Sequence, residues 1–118
     1  MRFRAIAAAA LVLALTVPVL ADKRSDAKEH VEFGIDLAKK GLWSSAIHQW
    51  EKAKTIDPEY LAAWNNLAIG YEQMGKFHEA REAYDQALKL DPNNAFLLTN
   101  YEQFREIYDR QNPRGRGR

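Results

Sequence analysis

Apolar side chains recur along this chain at the spacing of an α-helix. Trp64, Leu67, Ala68 and Tyr71 fall at i, i+3, i+4 and i+7, which places them on one helical face. That helix starts at Leu61 and is ended by Gly75, a residue suited to the turn after a helix. A second helix follows from about Phe77 to Leu90, with Ala80, Tyr84, Ala87 and Leu88 facing inward. The same pattern stands one unit earlier. Gly41 falls on Gly75, Ala46 on Ala80, Trp50 on Tyr84 and Ala53 on Ala87. Trp43 falls on Phe77, Ile35 on Ile69, and Asp57-Pro58 on Asp91-Pro92, all at an offset of 34 residues. A fixed period of this size predicts stacked helix pairs, not one core around a catalytic cleft.

The small residues have a steric part. Gly34, Ala46, Ala53, Ala68, Ala80 and Ala87 let backbones approach, and Trp43, Trp50, Trp64, Phe77 and Tyr84 fill the space between them. A large residue at Ala53 or Ala87 is expected to overpack, at about 1–3 kcal/mol. Each Asp-Pro pair is expected to open the next helix, aspartate as cap and proline in the first turn.

The units resemble the tetratricopeptide repeat, whose signature is Trp-x2-Leu-Gly-x2-Tyr, then Ala-x3-Phe, then Pro. The second unit carries Trp64-x2-Leu67-Ala68-x2-Tyr71, Ala80-x3-Tyr84 and Pro92. The first carries His30-x2-Phe33-Gly34-x2-Leu37, Ala46-x3-Trp50 and Pro58, departing at His30 and Leu37 as terminal repeats do. The resemblance covers roughly residues 25–110 and implies an all-α fold. The expected architecture is an antiparallel helix-pair solenoid of two units, about 27–60 and 61–94, with a capping helix over about 95–110. In that last helix Glu102 and Arg105 replace Ala68 and Tyr71, which predicts a polar outer face closing the stack. Residues 22–110 form the repeat domain, and 111–118 a basic, disordered tail.

The first 21 residues read differently. Met1-Arg2-Phe3-Arg4 is a short basic start, Ala5 to Leu20 is almost unbroken apolar sequence, and Val19 and Ala21 are small residues before the charged Asp22. This predicts a secretory signal peptide over 1–21 and an exported protein, with a bacterial periplasm as the expected destination. The alternative is an uncleaved anchor in the inner membrane. The chain has 17 Lys+Arg and 16 Asp+Glu and no cysteine. Loss of Arg2 and Arg4 with the leader leaves 15 basic against 16 acidic side chains, a net charge of about −1. Such a chain has no overall field for nucleic acid. Without cysteine it forms no disulfide and takes no lipid on a cysteine.

Function is expected in binding. The resemblance implies a concave groove, lined by the first helix of each unit, that takes a peptide or helix of a partner protein. Carried over position by position, the groove takes Lys28, Val31, Glu32, Ile35 and Lys39 from the first unit. The second supplies Asn65, Asn66, Ile69 and Gln73, and the cap Phe96, Thr99, Asn100 and Gln103. Amides there can donate to and accept from a peptide backbone, and Ile35, Ile69 and Phe96 can hold apolar side chains. The pair Asn65-Asn66 stands out, since asparagine is a poor helix residue without a local role. A clamp for a terminal carboxylate is not expected, because Val31 and Ile35 stand where it needs polar groups. The second reading is a structural protein that self-associates through exposed repeat or cap surfaces as a homo-oligomer. Catalysis, cofactors and metals are not expected. His78-Glu79-Ala80-Arg81-Glu82 lacks the second histidine of a zinc-protease helix, and His30 and His48 are isolated in sequence. The tail arginines Arg114, Arg116 and Arg118 are too few to anchor the chain firmly to phosphates.

Overall fold

In a computed structural model, the structure describes residues 17–113, with side chains from Asp22 onward. Most of the expected leader, and the arginines of the expected tail, lie outside the described residues. Five helices follow in order: α1 Val17–Lys39, α2 Trp43–Ile56, α3 Leu61–Gln73, α4 Phe77–Leu90 and α5 Ala95–Gln111. The helix-pair solenoid is as the pattern predicts: α1 packs on α2, α3 on both α2 and α4, and α5 on α4. Helix α1 is longer than the repeat requires and runs unbroken across the Ala21–Asp22 junction.

The turns inside each pair follow from glycine. Gly41 has φ +76° and Gly75 φ +70°, a left-handed conformation that side-chain-bearing residues adopt at a cost. Each closes the same pair of bonds. Gly41 N–H donates to the Ala38 carbonyl at 2.9 Å and Leu42 N–H to that of Leu37 at 3.0 Å. Gly75 N–H donates to Glu72 at 3.1 Å and Lys76 N–H to Tyr71 at 2.8 Å. This is the six-to-one and five-to-two pattern that satisfies the last carbonyls of a helix.

The aspartates of the Asp-Pro pairs do not cap the following helices as expected. Asp57 and Asp91 end α2 and α4, their N–H groups donating to the carbonyls of Ala53 and Ala87. Pro58 and Pro92 then fill the turn, so the next helix starts later. Helix α3 begins after Tyr60 with no side-chain cap, and α5 is capped by Asn94, whose Oδ1 accepts from Leu97 N–H at 3.0 Å. The competing demand was the C-terminus of the earlier helix. Asp57 still turns the chain locally, accepting from Glu59 N–H at 3.1 Å.

The core is apolar throughout the described residues, with Trp50, Tyr84, Phe104, Leu67 and Leu97 as its largest fully buried side chains. Ala46, Ala53, Ala80 and Ala87 are fully buried between helices, as the small-residue pattern requires. Phe104 joins the cap to the second pair. Its ring centroid lies 5.3 Å from that of Tyr84 and 5.7 Å from that of Tyr108. The outer face of α5 carries exposed Glu102 and Arg105, but it is not wholly polar, since Leu98 is also exposed beside them.

Candidate functional site

Positions 34 residues apart share a face of the stack. Lys28, Ala62 and Phe96 are equivalent, as are Glu32, Asn66 and Asn100; Ile35, Ile69 and Gln103; and Lys39, Gln73 and Ile107. They fall on the faces of α1, α3 and α5 where the resemblance implies the groove. Two cavities open along it, on opposite flanks of α3. One, of about 220 Å³, lies between α1 and α3 and is lined by Ile35, Ala38, Lys39, Trp43, Trp50, Asn66 and Ile69. The other, of about 370 Å³, lies between the starts of α3 and α5. Tyr60, Leu61, Ala62, Asn65, Asn94, Phe96 and Leu97 line it.

Of the residues expected in the groove, the structure brings Ile35, Lys39, Asn66 and Ile69 together around the first cavity. It brings Asn65 and Phe96 to the second. Lys28, Gln73, Thr99, Asn100 and Gln103 line neither. Val31 is a correction. It is only 3% exposed and belongs to the core, so its side chain has no surface to offer. Its carbonyl instead accepts the Trp50 indole N–H at 3.1 Å. Ala38, Trp43, Ala62, Tyr60 and Asn94 were not expected at these cavities. The repeat offset alone could have found Ala62, which stands in the register of Lys28 and Phe96.

The amides are not alike. Asn66 donates one of its two Nδ2 hydrogens to the Ala62 carbonyl at 2.7 Å, one turn back on its own helix, leaving the other hydrogen and its oxygen to meet a ligand. Asn65 Oδ1 is shut from solvent without a donor. Thr99 Oγ1 is spent on the Ala95 carbonyl at 2.9 Å. Phe96, 66% exposed, is the most open large apolar side chain described.

Charge on this side is balanced locally. Lys28 faces Glu32 at 3.8 Å and Lys39 faces Asp36 at 3.9 Å, each pair on one helix. Two tyrosines hold carboxylates behind the groove. Tyr71 donates to Glu51 at 2.5 Å, joining α3 to α2, and Tyr84 donates to Glu72 at 3.1 Å. Burial first, and then the neighbouring carboxylate, pushes both hydroxyls well above the usual tyrosine value, so they remain neutral donors. Glu51 also pairs with Lys54, whose Nζ lies 5.2 Å from the centre of the Trp64 ring. At the end of the groove near the second cavity, Arg24 bonds Asp57 at 2.5 Å and lies 4.7 Å over the Tyr60 ring. His30 and His48 meet at a cavity between α1 and α2, where His30 Nδ1 is engaged with Gln49 Oε1 at 2.7 Å. Among the described residues no group of three or more metal-ligating side chains converges.

Antiparallel helix pairs stacked in register define a helical-repeat interaction scaffold. The tetratricopeptide repeat family model matches residues 61–94, the α3–α4 pair with its flanking turn. The chain thus carries a tetratricopeptide repeat over those residues. It is 32% identical over 73 residues to the chloroplastic tetratricopeptide repeat domain-containing protein PYG7 of Arabidopsis thaliana, covering 62% of this chain and 24% of that one. It is 30% identical over 83 residues to the uncharacterized protein ycf37 of Guillardia theta, covering 70% of this chain and 47% of that one. The chain thus spans about a quarter and about half of these two relatives. A solved structure, the first tetratricopeptide repeat domain of Spaghetti (RPAP3) bound to the HSP90 peptide SRMEEVD, aligns over 72% of this chain and 94% of that one. The two share 16% identity, with a TM-score of 0.43.

Proposed function

We propose that this protein is an exported adaptor that holds a segment of another envelope protein in the α1–α3–α5 groove and so assists its assembly or positioning. The observation that carries the binding reading is the pair of apolar cavities flanking α3, with Ile35 and Ile69 in one and Phe96 in the other. Apolar surface left open in a concave, pre-formed site is surface a partner can bury. The helices around it are fixed by the core, so binding orders little further. The export part rests on the basic start and apolar run of residues 1–21.

The self-association reading has less behind it. Exposed Phe33 at the α1 end of the stack is surrounded by Glu29, Asp36 and Lys40, and exposed Leu98 at the α5 end by Glu102, Arg105 and Asp109. Among the described residues these exposed apolar side chains stand next to charged ones, which disfavours stacking another repeat there.

The test is a photo-crosslinking residue placed at Ile69, and separately at Phe33, in the full chain expressed in a bacterial host. Discrete adducts at Ile69 that vanish in an Asn66→Ala background carrying a Phe96→Ser change, with circular dichroism unchanged, support the groove. Equal adducts at both positions, or adducts indifferent to the changes, overturn it. Fractionation of the same cells decides export, since a chain retained whole in the cytoplasm is incompatible with an envelope adaptor.

A further inference from the structure

The turns that join α1 to α2 and α3 to α4 lie on one edge of the stack. Helix α5 ends on the same edge, because α1, α3 and α5 run in the same direction. Each level of this edge sets one exposed large apolar side chain beside an exposed cation: Leu42 with Lys40, Met74 with Lys76, and Ile107 with Arg110. The repeat itself does not impose this pairing. Lys40, Met74 and Tyr108 are equivalent at the 34-residue offset, as are Leu42, Lys76 and Arg110, so the apolar and basic positions are exchanged between levels while the pair is kept. Packing does not impose it either. A Cβ on Gly41 or Gly75 meets nothing within 4 Å, so the two turns stand clear of the rest of the protein.

The charge of this edge differs from that of the other. Among the described residues Lys40 and Lys76 make no ion pair. Asp36 faces Lys39, Glu72 accepts from Tyr84, and Glu106 faces Arg110. Glu79 and Asp109 remain, against Lys40, Lys76 and the arginines 114, 116 and 118, whose sequence continues from the end of α5. The turns of the opposite edge carry Asp57, Glu59 and Asp91, with no lysine or arginine between Ile56 and Leu61 or between Leu90 and Ala95. Leu90 and Phe96 are exposed at that edge too, but beside Asp91.

We propose that the Leu42–Met74–Ile107 edge docks on an anionic lipid surface. The three apolar side chains enter the boundary between headgroups and acyl chains, and Lys40, Lys76, Arg110 and the arginines that follow meet headgroup phosphates. The arginines alone are too few to hold the chain, and the edge supplies the second signal that stable anchoring needs. Single apolar side chains about one helix spacing (8–10 Å) apart, each next to a cation, suit a fluid planar surface. A protein partner would call for a continuous apolar patch at the centre of the contact, which separated tips do not form. The edge lies apart from the groove, so lipid docking stands or falls without it.

The chain has no cysteine, so one can be placed at will. Leu42→Cys, Met74→Cys and, on the opposite edge, Glu59→Cys are each labelled with an environment-sensitive fluorophore in the full 118-residue chain. The probes are vesicles of phosphatidylcholine with about 30 mol% phosphatidylglycerol, phosphatidylcholine vesicles alone, and soluble polyglutamate. The labels at 42 and 74 are expected to shift to the blue on the anionic vesicles, less so as salt rises, while the label at 59 stays in water. Lys40→Gln with Lys76→Gln should weaken partition about tenfold, and Leu42→Ser with Met74→Ser by about as much, both with unchanged circular dichroism. Residues 1–21 can also hold a bilayer, so the position of the label decides. Vesicle binding that leaves the labels at 42 and 74 in water, or that ignores both double changes, belongs to residues 1–21 and overturns the proposal. An equal shift at 59, or equal binding to phosphatidylcholine alone, overturns it too. A shift with polyglutamate but not with vesicles assigns an acidic protein partner in place of lipid, and no shift with any probe leaves the edge without a ligand; either result overturns lipid docking.

Discussion

The indole of Trp50 occupies the place a side chain on Gly34 would need. A Cβ built on Gly34 falls 2.7 Å from Trp50 Cδ1 and closer still to Nε1, while the same indole N–H donates to the Val31 carbonyl. The far edge of the ring is met by a second glycine, since a Cβ on Gly70 falls 2.8 Å from Trp50 Cζ3. One tryptophan from α2 is thus seated between a notch in α1 and a notch in α3. One unit on, the sizes are exchanged. Tyr84 stands for Trp50, Ala68 for Gly34, and Phe104 for Gly70, with the Tyr84 and Phe104 rings 5.3 Å apart.

Filling either notch should be costly. Gly34→Ala is expected to destabilise by about 2–3 kcal/mol, at the upper end of overpacking, because the neighbour is a rigid, buried ring and not a flexible chain end. Gly70→Ala should cost about 1–3 kcal/mol, with Ile47 able to give way on one side. Urea unfolding measures both. A Trp50→Phe background should absorb part of the Gly34→Ala loss, giving a non-additive cycle. Strict additivity would show that the notch is not what matters.

The two turn glycines fail for another reason. Nothing lies within 4 Å of a Cβ at Gly41 or Gly75, yet both have positive φ. Alanine at either is expected to cost about 1–2 kcal/mol through backbone strain alone. Asparagine, which tolerates this conformation, should cost less. Thermal melts of the four variants check the order, and equal losses for alanine and asparagine would refute it.

Alkaline pH should loosen the stack. The hydroxyls of Tyr71 and Tyr84 titrate above their ordinary value in the folded chain, chiefly through burial, so the folded state keeps protons that the unfolded state releases. Their contribution is complete below about pH 10, the unfolded tyrosine value, and is lost as pH rises beyond it. Denaturant midpoints at pH 8, 10 and 11 should fall for the native chain. They should fall less steeply for Tyr84→Phe, which starts lower through loss of the Glu72 bond. A slope unchanged by that substitution counts against the assignment.

Asn65 holds a buried oxygen without a donor at the edge of the second cavity. Removing it relieves an unsatisfied acceptor and places a better helix former in α3. Asn65→Ala is therefore expected to stabilise the chain by about 0.5–1 kcal/mol, read from chemical unfolding. A loss of stability would mean that the side chain contributes a contact worth more than the orphaned oxygen costs.

Much of this protein was legible in the sequence, because the repeat is written in residue sizes. The 34-residue offset, the helical spacing of Trp64, Leu67, Ala68 and Tyr71, and the glycines at 41 and 75 specify paired helices and the turns between them. These are local constraints: which face is apolar, and where φ must turn positive. The resemblance to the tetratricopeptide repeat pointed to Ile35, Ile69 and Phe96, and these line the two cavities beside α3.

What the sequence left open was decided by contacts between residues distant along the chain. Val31 and Ile35 are one helical turn apart, yet one is core and the other lines a cavity, because Trp50 from the next helix reaches under α1 and claims the first. Asp57 and Asp91 end one helix instead of opening the next, since the carbonyl-side turn of the preceding helix competes for the same residue. Cavities form where α1, α3 and α5 leave gaps, and the width of a gap depends on side chains from α2 and on the loops before α3 and α5. Periodicity fixes which way a side chain faces. Only the packed stack fixes whether another helix is already there.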